Sequence, residues 1–233
     1  MKEKRTFDLL TLGQLLLRLS PPNNERLVRG DTFEKQVGGA ELNVAVGVSL
    51  LGLHTGVISK LPSHDMGSFM KGKIRSYGIS DDYFLYDYSP SARVGIYYYE
   101  NGAFPRKPKV IYDRSNSSFY SLSIDEIPKE TYSASRCFHT TGITLALNEK
   151  IRETTIEMIK RFKEAGTLVS FDVNFRGNLW TGEQARECIE RILPYVDIFF
   201  CSEDTARLTF KKTGTAEEMM KSFTEEYPVS IVA

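Results

Sequence analysis

Three groups of residues in the 233-residue chain have types and spacing that could do chemistry. The first is Gly38-Gly39 followed by Ala40-Glu41-Leu42-Asn43. Two glycines ahead of a helix let backbone amides approach a ligand closely, and Asn43, one turn in, can hydrogen-bond a hydroxyl. The pair lacks the Gly-x-Gly-x-x-Gly or Gly-Lys-Ser pattern that cradles nucleotide phosphates, so a sugar suits it better than a dinucleotide. A plain turn before a helix is the structural alternative. The second is Phe171-Asp172-Val173-Asn174-Phe175-Arg176, where alternation along a strand end puts Asp172, Asn174 and Arg176 on one side. Its bland reading is a surface Asp–Arg pair of little energetic weight. The third is a tyrosine-rich stretch with Arg93, Tyr97, Tyr99, Tyr112 and Arg114. A polyhydroxylated acid calls for aromatic walls with hydroxyl tips and an arginine fork that matches a carboxylate. A half-buried hairpin packed on a partner chain would use the same residues.

Those side chains need a scaffold, and the patterning supplies one. Strand-length apolar runs alternate with helix-period segments, the signature of a parallel sheet with crossover helices on its faces. The expected core strands are Phe7–Leu12, Thr55–Leu61, Cys137–Thr140, Leu168–Val173 and Val196–Phe200. The expected helices are Glu41–Leu53, Asp65–Tyr77 ending at Gly78, Glu149–Ala165, Gly182–Leu193 and Thr215–Glu226. The segment Glu41–Leu53 is apolar nearly all round, so it is expected to be buried on more than one side. Between Asp81 and Arg114 the rhythm changes to alternating runs, Tyr83–Tyr88, Arg93–Glu100 and Lys109–Asp113, read as antiparallel hairpins. Leu15–Ser20 and Thr32–Val37 share that two-residue period. The expectation is one doubly wound α/β domain over residues 1–233, mostly parallel, with a small β-sheet lid built from about 15–37 and 81–114.

In such sheets ligands bind beyond the carboxyl ends of the strands, near the point where strand order reverses. The first two groups fall at such ends. Composition narrows the partners: Lys plus Arg equals Asp plus Glu at 30 each, so no overall field attracts nucleic acid or an anionic membrane. Cys137, Cys188 and Cys201 form no Cys-x-x-Cys pair, and His54, His64 and His139 stand at no metal-ligand spacing. Reduced thiols, structural histidines and a cytoplasmic protein are expected. Nothing approaches the ~20 apolar residues of a membrane span, and the start, Met1-Lys2-Glu3-Lys4-Arg5, is charged rather than signal-like.

Taken together the blocks resemble the ribokinase-like (PfkB-type) carbohydrate kinases, and among them most closely the 2-keto-3-deoxygluconate kinases. The resemblance is carried by Leu17-Arg18-Leu19-Ser20-Pro21-Pro22, Gly38 to Ala45 with Leu51-Gly52, and Asp65-Met66-Gly67. Tyr112-Asp113-Arg114, Asp172 to Arg176 with Leu179-Trp180, and Ser202-Glu203-Asp204 complete it. It implies a lid that closes over the sugar and often forms a homodimer interface. It further implies that Gly38, Gly39, Asn43 and Asn174 hold the sugar, that Tyr97 and Tyr112 line the pocket, and that Arg114 and Arg176 address a carboxylate. That arginine pair separates a keto-acid sugar from fructose or a nucleoside. The implied reaction moves the ATP γ-phosphoryl to a primary hydroxyl, with magnesium neutralising charge and an aspartate taking the proton.

The same resemblance places Ser202 and Glu203 at the nucleotide, where many members show Asn-x-x-Glu; here Thr205 stands in place of the carboxylate, leaving Glu203 or Asp204 for the magnesium. The family's Gly-Ala-Gly-Asp run, whose Asp is the base, does not occur in the 233 residues. Pro228–Ala233 reads as a buried strand that stops without a solvated tail. The expectation is therefore the leading part of a longer kinase, with the base beyond Ala233 and no activity of its own. Two other readings stay open: a kinase for fructose or another neutral sugar, and a non-catalytic sugar-acid-binding or dimerising fragment.

Overall fold

The computed structural model describes residues 5–233. In chain order the elements begin β1 (Phe7–Leu12), β2 (Leu16–Ser20), β3 (Glu34–Gly38), α1 (Ala40–Leu50), β4 (Thr55–Pro62) and α2 (Asp65–Ser76). They continue with β5 (Phe84–Asp87), β6 (Gly95–Glu100), β7 (Lys109–Asp113), β8 (Ser135–Thr141), α3 (Gly142–Leu145) and α4 (Glu149–Glu164). The last are β9 (Leu168–Asp172), α5 (Gly182–Glu190), β10 (Ile198–Phe200), α6 (Glu203–Phe210), α7 (Ala216–Glu226) and β11 (Ile231–Val232).

Seven strands form one sheet in the order β11-β10-β9-β8-β1-β4-β5, and every neighbouring pair is parallel. The chain moves outward from β1 to β4 and β5, then returns to β1's other side with β8, so strand order reverses between β1 and β8. A crevice outside their carboxyl ends is the result. Strands buried on both faces must be apolar nearly throughout, as Phe7-Asp8-Leu9-Leu10-Thr11-Leu12 is.

The helices form for legible reasons. Asn148 caps α4 by accepting from the Ile151 amide at 2.7 Å, and Ile151, Thr155, Met158, Ile159 and Phe162 recur at helical spacing to bury one face. Phe162 stacks on Phe138 of β8 with ring centroids 4.0 Å apart. Thr181 and Gln184 close a capping box at α5, and Thr215 and Glu218 close another at α7. Gly78 sits at a φ of 74°, just past the C-cap Tyr77 of α2, where a side chain would be strained.

The second sheet, in the order β3-β2-β6-β7, pairs β2 antiparallel with β3 and parallel with β6, while β6 and β7 make an antiparallel hairpin. This is the expected lid, assembled from two separate stretches of chain.

Three expectations are corrected. The run Tyr83–Tyr88 is not a lid hairpin: β5 lies parallel to β4 at the edge of the main sheet, drawn there by Phe84, which is buried in the core shared by α1, α2 and β4. Helix α1 is covered on one side only, burying Glu41, Leu42 and Ala45, while Leu50 at its end and Leu51 beyond it are 81% and 80% exposed. The final strand is short and open, with Ile231 53% exposed, because among the described residues β11 is the sheet's edge.

Candidate active site

Between the ends of the central strands and the underside of the lid lies a cavity of about 410 Å³. Gln14 and Glu41 form its floor with Ile143; Tyr97, Tyr99 and Tyr112 form the lid wall; Arg114, Asn174, Arg176 and Asn43 stand around it. Six of the expected sugar-site residues other than glycine therefore converge: Asn43, Tyr97, Tyr112, Arg114, Asn174 and Arg176.

The two glycines divide. Gly39 lines the cavity as the N-cap of α1, makes no side-chain cap bond, and has no room for a Cβ, which would fall 2.9 Å from the Gln14 carbonyl oxygen. The uncapped amides at the start of α1 face the cavity side, a setting that favours negative charge. Gly38 is buried behind the wall, and its lack of a side chain makes room for the Tyr97 hydroxyl, 2.5 Å from where a Cβ would stand.

The lid wall is held by its own register. Tyr97 of β6 faces Tyr112 of β7 directly, their rings 5.9 Å apart, and Arg18 of β2 lies over the Tyr99 ring at 4.4 Å. Burial raises the Tyr97 hydroxyl above its ordinary pKa. That hydroxyl remains a neutral donor at physiological pH.

Arg114 follows β7 immediately. Its Nε–H donates to Gln14 Oε1 at 2.8 Å and its guanidinium lies 5.6 Å from the Tyr112 ring centre. Burial lowers its pKa, with the like charge of Arg176 acting the same way and Glu41 opposing. Three arginines, Arg18, Arg114 and Arg176, line the cavity, and its one lining carboxylate, Glu41, is buried.

Glu41 is the residue that sequence reasoning passed over. Its side chain turns inward, 2% exposed, and Oε1 accepts from Thr141 Oγ1 at 2.7 Å and Thr144 Oγ1 at 2.8 Å. Burial raises its pKa, and the two threonine bonds oppose that rise. Gly13 makes this possible, since any Cβ there would overlap the Glu41 carboxyl. An acidic residue in a first helical turn ordinarily reads as a solvated partner of the helix dipole. The Gly13-Gln14 pair directly after β1 was the available signal, as a strand end at the crevice.

The Asp172 group is corrected in its mechanism. The strand stops at Asp172, and the chain turns rather than alternating: Asn174 adopts a φ of 38° and its amide donates to Asp172 Oδ1 at 2.9 Å. Asn174 and Arg176 reach the cavity through that turn, and Asp172 does not line it; burial raises the Asp172 carboxyl. Arg93 also does not line it, being bound to the carbonyls of Ser115 and Asp113 and paired with the Asp113 carboxylate at 2.8 Å.

Ser202 and Glu203 lie elsewhere. Ser202 caps α6, and Glu203 sits 3.5 Å from Arg207. Both border a separate apolar groove of about 200 Å³ shaped by Ala206, Met219, Met220 and Phe223. Among the described residues no cluster of three or more His, Cys, Asp or Glu could hold a metal ion, and no helix is long and apolar enough to cross a membrane.

Comparison with known proteins identifies the family and the fold. The model of the pfkB family carbohydrate kinases matches residues 6–231. A 2-dehydro-3-deoxygalactonokinase of Haloferax volcanii is 36% identical over 227 residues, covering 97% of this chain and 70% of that protein. The structure of 2-dehydro-3-deoxygluconokinase from Thermotoga maritima superimposes with a TM-score of 0.89 at 31% identity, over 96% of this chain and 71% of that one. A sugar kinase from Pyrococcus horikoshii, solved in complex with ATP, gives 0.76 at 26% identity over 87% of this chain and 66% of its own.

Proposed function

Because the chain belongs to the pfkB family of carbohydrate kinases, we propose that its cavity holds a 2-keto-3-deoxy sugar acid, 2-keto-3-deoxygluconate or its galactonate epimer. The reaction is transfer of the ATP γ-phosphoryl to that acid's primary hydroxyl. The observation that carries the substrate class is the pair Arg114 and Arg176 on one cavity whose single lining carboxylate, Glu41, is buried and bonded to Thr141 and Thr144. Two guanidinium forks beside a helix start make a seat for a carboxylate. Asn43, Asn174 and the tyrosine hydroxyls are the donors and acceptors for the polyol, and Gly39 lets the ligand approach the backbone.

ATP belongs on the side of Ser202 and Glu203, where the apolar groove beside Met219 and Met220 suits an adenine ring. Among the described residues no cluster makes a metal centre, so magnesium would arrive on the nucleotide phosphates, with one carboxylate such as Glu203 or Asp204 beside it. Magnesium's contribution there is charge neutralisation at the transferring phosphoryl group. The lid's outer face, with Ile111 45% and Phe33 41% exposed, is where a second copy would pair in a homodimer.

Calorimetric titration of the chain with 2-keto-3-deoxygluconate and with fructose tests the reading. Binding of the acid, lost with Arg114→Ala plus Arg176→Ala, is expected, with fructose far weaker. Equal affinity for fructose, or an acid affinity indifferent to both substitutions, would favour the neutral-sugar kinase instead.

A further inference from the structure

The geometry points to Gln14 as the positioning residue that aims Arg114 and leaves its charge free for the ligand's carboxylate. The assignment rests on the sugar-acid reading of the cavity. Gln14 is 3% exposed, and its amide is fully committed to the segment where the lid rejoins the core. Oε1 accepts the Arg114 Nε–H at 2.8 Å, and Nε2 donates to the Arg114 carbonyl oxygen at 3.1 Å and to Ser117 Oγ at 2.8 Å. An arginine side chain only donates and a carbonyl only accepts, so this amide has one orientation that satisfies both.

The consequence for Arg114 is directional. With Nε held and the ring of Tyr112 on one side, the terminal amino groups have no protein hydrogen bond among the described residues and remain for the cavity. A guanidinium presents that free edge as a fork matching a carboxylate. Because both the side chain and the carbonyl of Arg114 hang on the same amide, its position is tied to the end of β1 and not to the lid tip.

The neutrality of glutamine matters equally. A carboxylate at this place would form an ion pair with Arg114 and compete with the ligand's own charge. The amide supplies the same acceptor without that cost. Glu41 is the nearby acid, and its carboxyl already serves Thr141 and Thr144.

The test uses Gln14→Leu and Gln14→Glu in the whole chain, titrated with 2-keto-3-deoxygluconate and with 3-deoxyfructose, which has a hydroxymethyl group where the acid has its carboxylate. Both variants are expected to lose about 10-fold or more in affinity for the acid while 3-deoxyfructose changes little. Nitrogen-15 spectra of the unliganded protein give a second readout: the shielded Arg114 Nε–H resonance should vanish or exchange rapidly in Gln14→Leu. If Gln14→Leu does not fold, Gln14→Glu keeps an acceptor for Arg114 and still tests the charge argument. Acid binding unchanged in both variants, or equal losses for acid and 3-deoxyfructose, overturns the assignment alone. Absence of acid binding by the unsubstituted chain overturns the sugar-acid reading and this assignment with it.

Discussion

The backbone amide of Asn174 donates to the carboxylate of Asp172 two residues earlier, across 2.9 Å, and so converts a strand end into a turn. The φ of 38° that results is tolerated by asparagine and glycine better than by other residues. Asn174→Ala is expected to lower stability by about 1 kcal/mol in urea denaturation and to weaken ligand binding as Arg176 loses its setting. Asn174→Gly should keep the stability and lose only the side chain's share of binding.

Glu41 predicts an unusual pH response. Its folded-state pKa is raised, so the buried carboxylate costs stability once pH exceeds the ordinary glutamate value, and that cost grows until pH passes the folded value. Glu41→Gln keeps an acceptor for Thr141 and Thr144 and removes the charge. Stability at pH 7 is expected to stay level or rise, with a flatter profile above pH ~4.5. Glu41→Ala leaves two buried hydroxyls without their partner and should cost about 2–4 kcal/mol. Urea midpoints at several pH values separate the three proteins.

His139 acts in the opposite direction. It is 3% exposed, its Nδ1 lies 2.9 Å from Ser170 Oγ, its Nε2 has no partner among the described residues, and burial holds its pKa down to about 4. The unfolded chain therefore takes up a proton before the folded one does. Stability present above the ordinary histidine pKa is lost as pH falls from about 6.5 toward 4. The loss attributable to this residue is on the order of 3 kcal/mol. His139→Gln should flatten that limb relative to the unsubstituted chain, and an unchanged slope would remove His139 as its cause.

Gly38 and Tyr97 offer a coupled pair. Gly38→Ala places a methyl against the Tyr97 hydroxyl and should push the ring out of the cavity wall, lowering sugar-acid affinity by about 10-fold. Tyr97→Phe removes the nearest atom of that clash, so the double substitution should recover part of the loss in stability. A purely additive result in a double-mutant cycle would show that the two do not meet.

How far these features can be read from the chain depends on the range of the forces involved. The α/β alternation, the lid's two-part assembly and the α4 and α7 boundaries follow from local periodicity and caps, which adjacent residues encode. Of the six expected polar residues that share the cavity, Arg114, Asn174 and Arg176 follow strand ends, whereas Asn43, Tyr97 and Tyr112 lie within elements and were singled out by residue type. β5 was not, since Tyr83–Tyr88 has the composition of a lid strand and only its packing through Phe84 sends it to the main sheet. Glu41 and Gln14 were missed for a related reason: their roles arise from threonines about 100 residues away and from Arg114, also 100 residues away, with no local signature. Arg93 looked like a ligand by type, yet its short-range pairing with Asp113 consumes it.

Two of the lid's four connections to the core are short: Gly13, Gln14 and Leu15 lead from β1 into β2, and the single residue Gly39 leads from β3 into α1. Straps so brief permit little swing, so a ligand seated beneath the lid tightens the joint between the two layers. Sugar-acid occupancy should then protect lid amides and the strand-end amides of β1 from hydrogen exchange in unison, making the flap's mechanical firmness a gauge of occupancy.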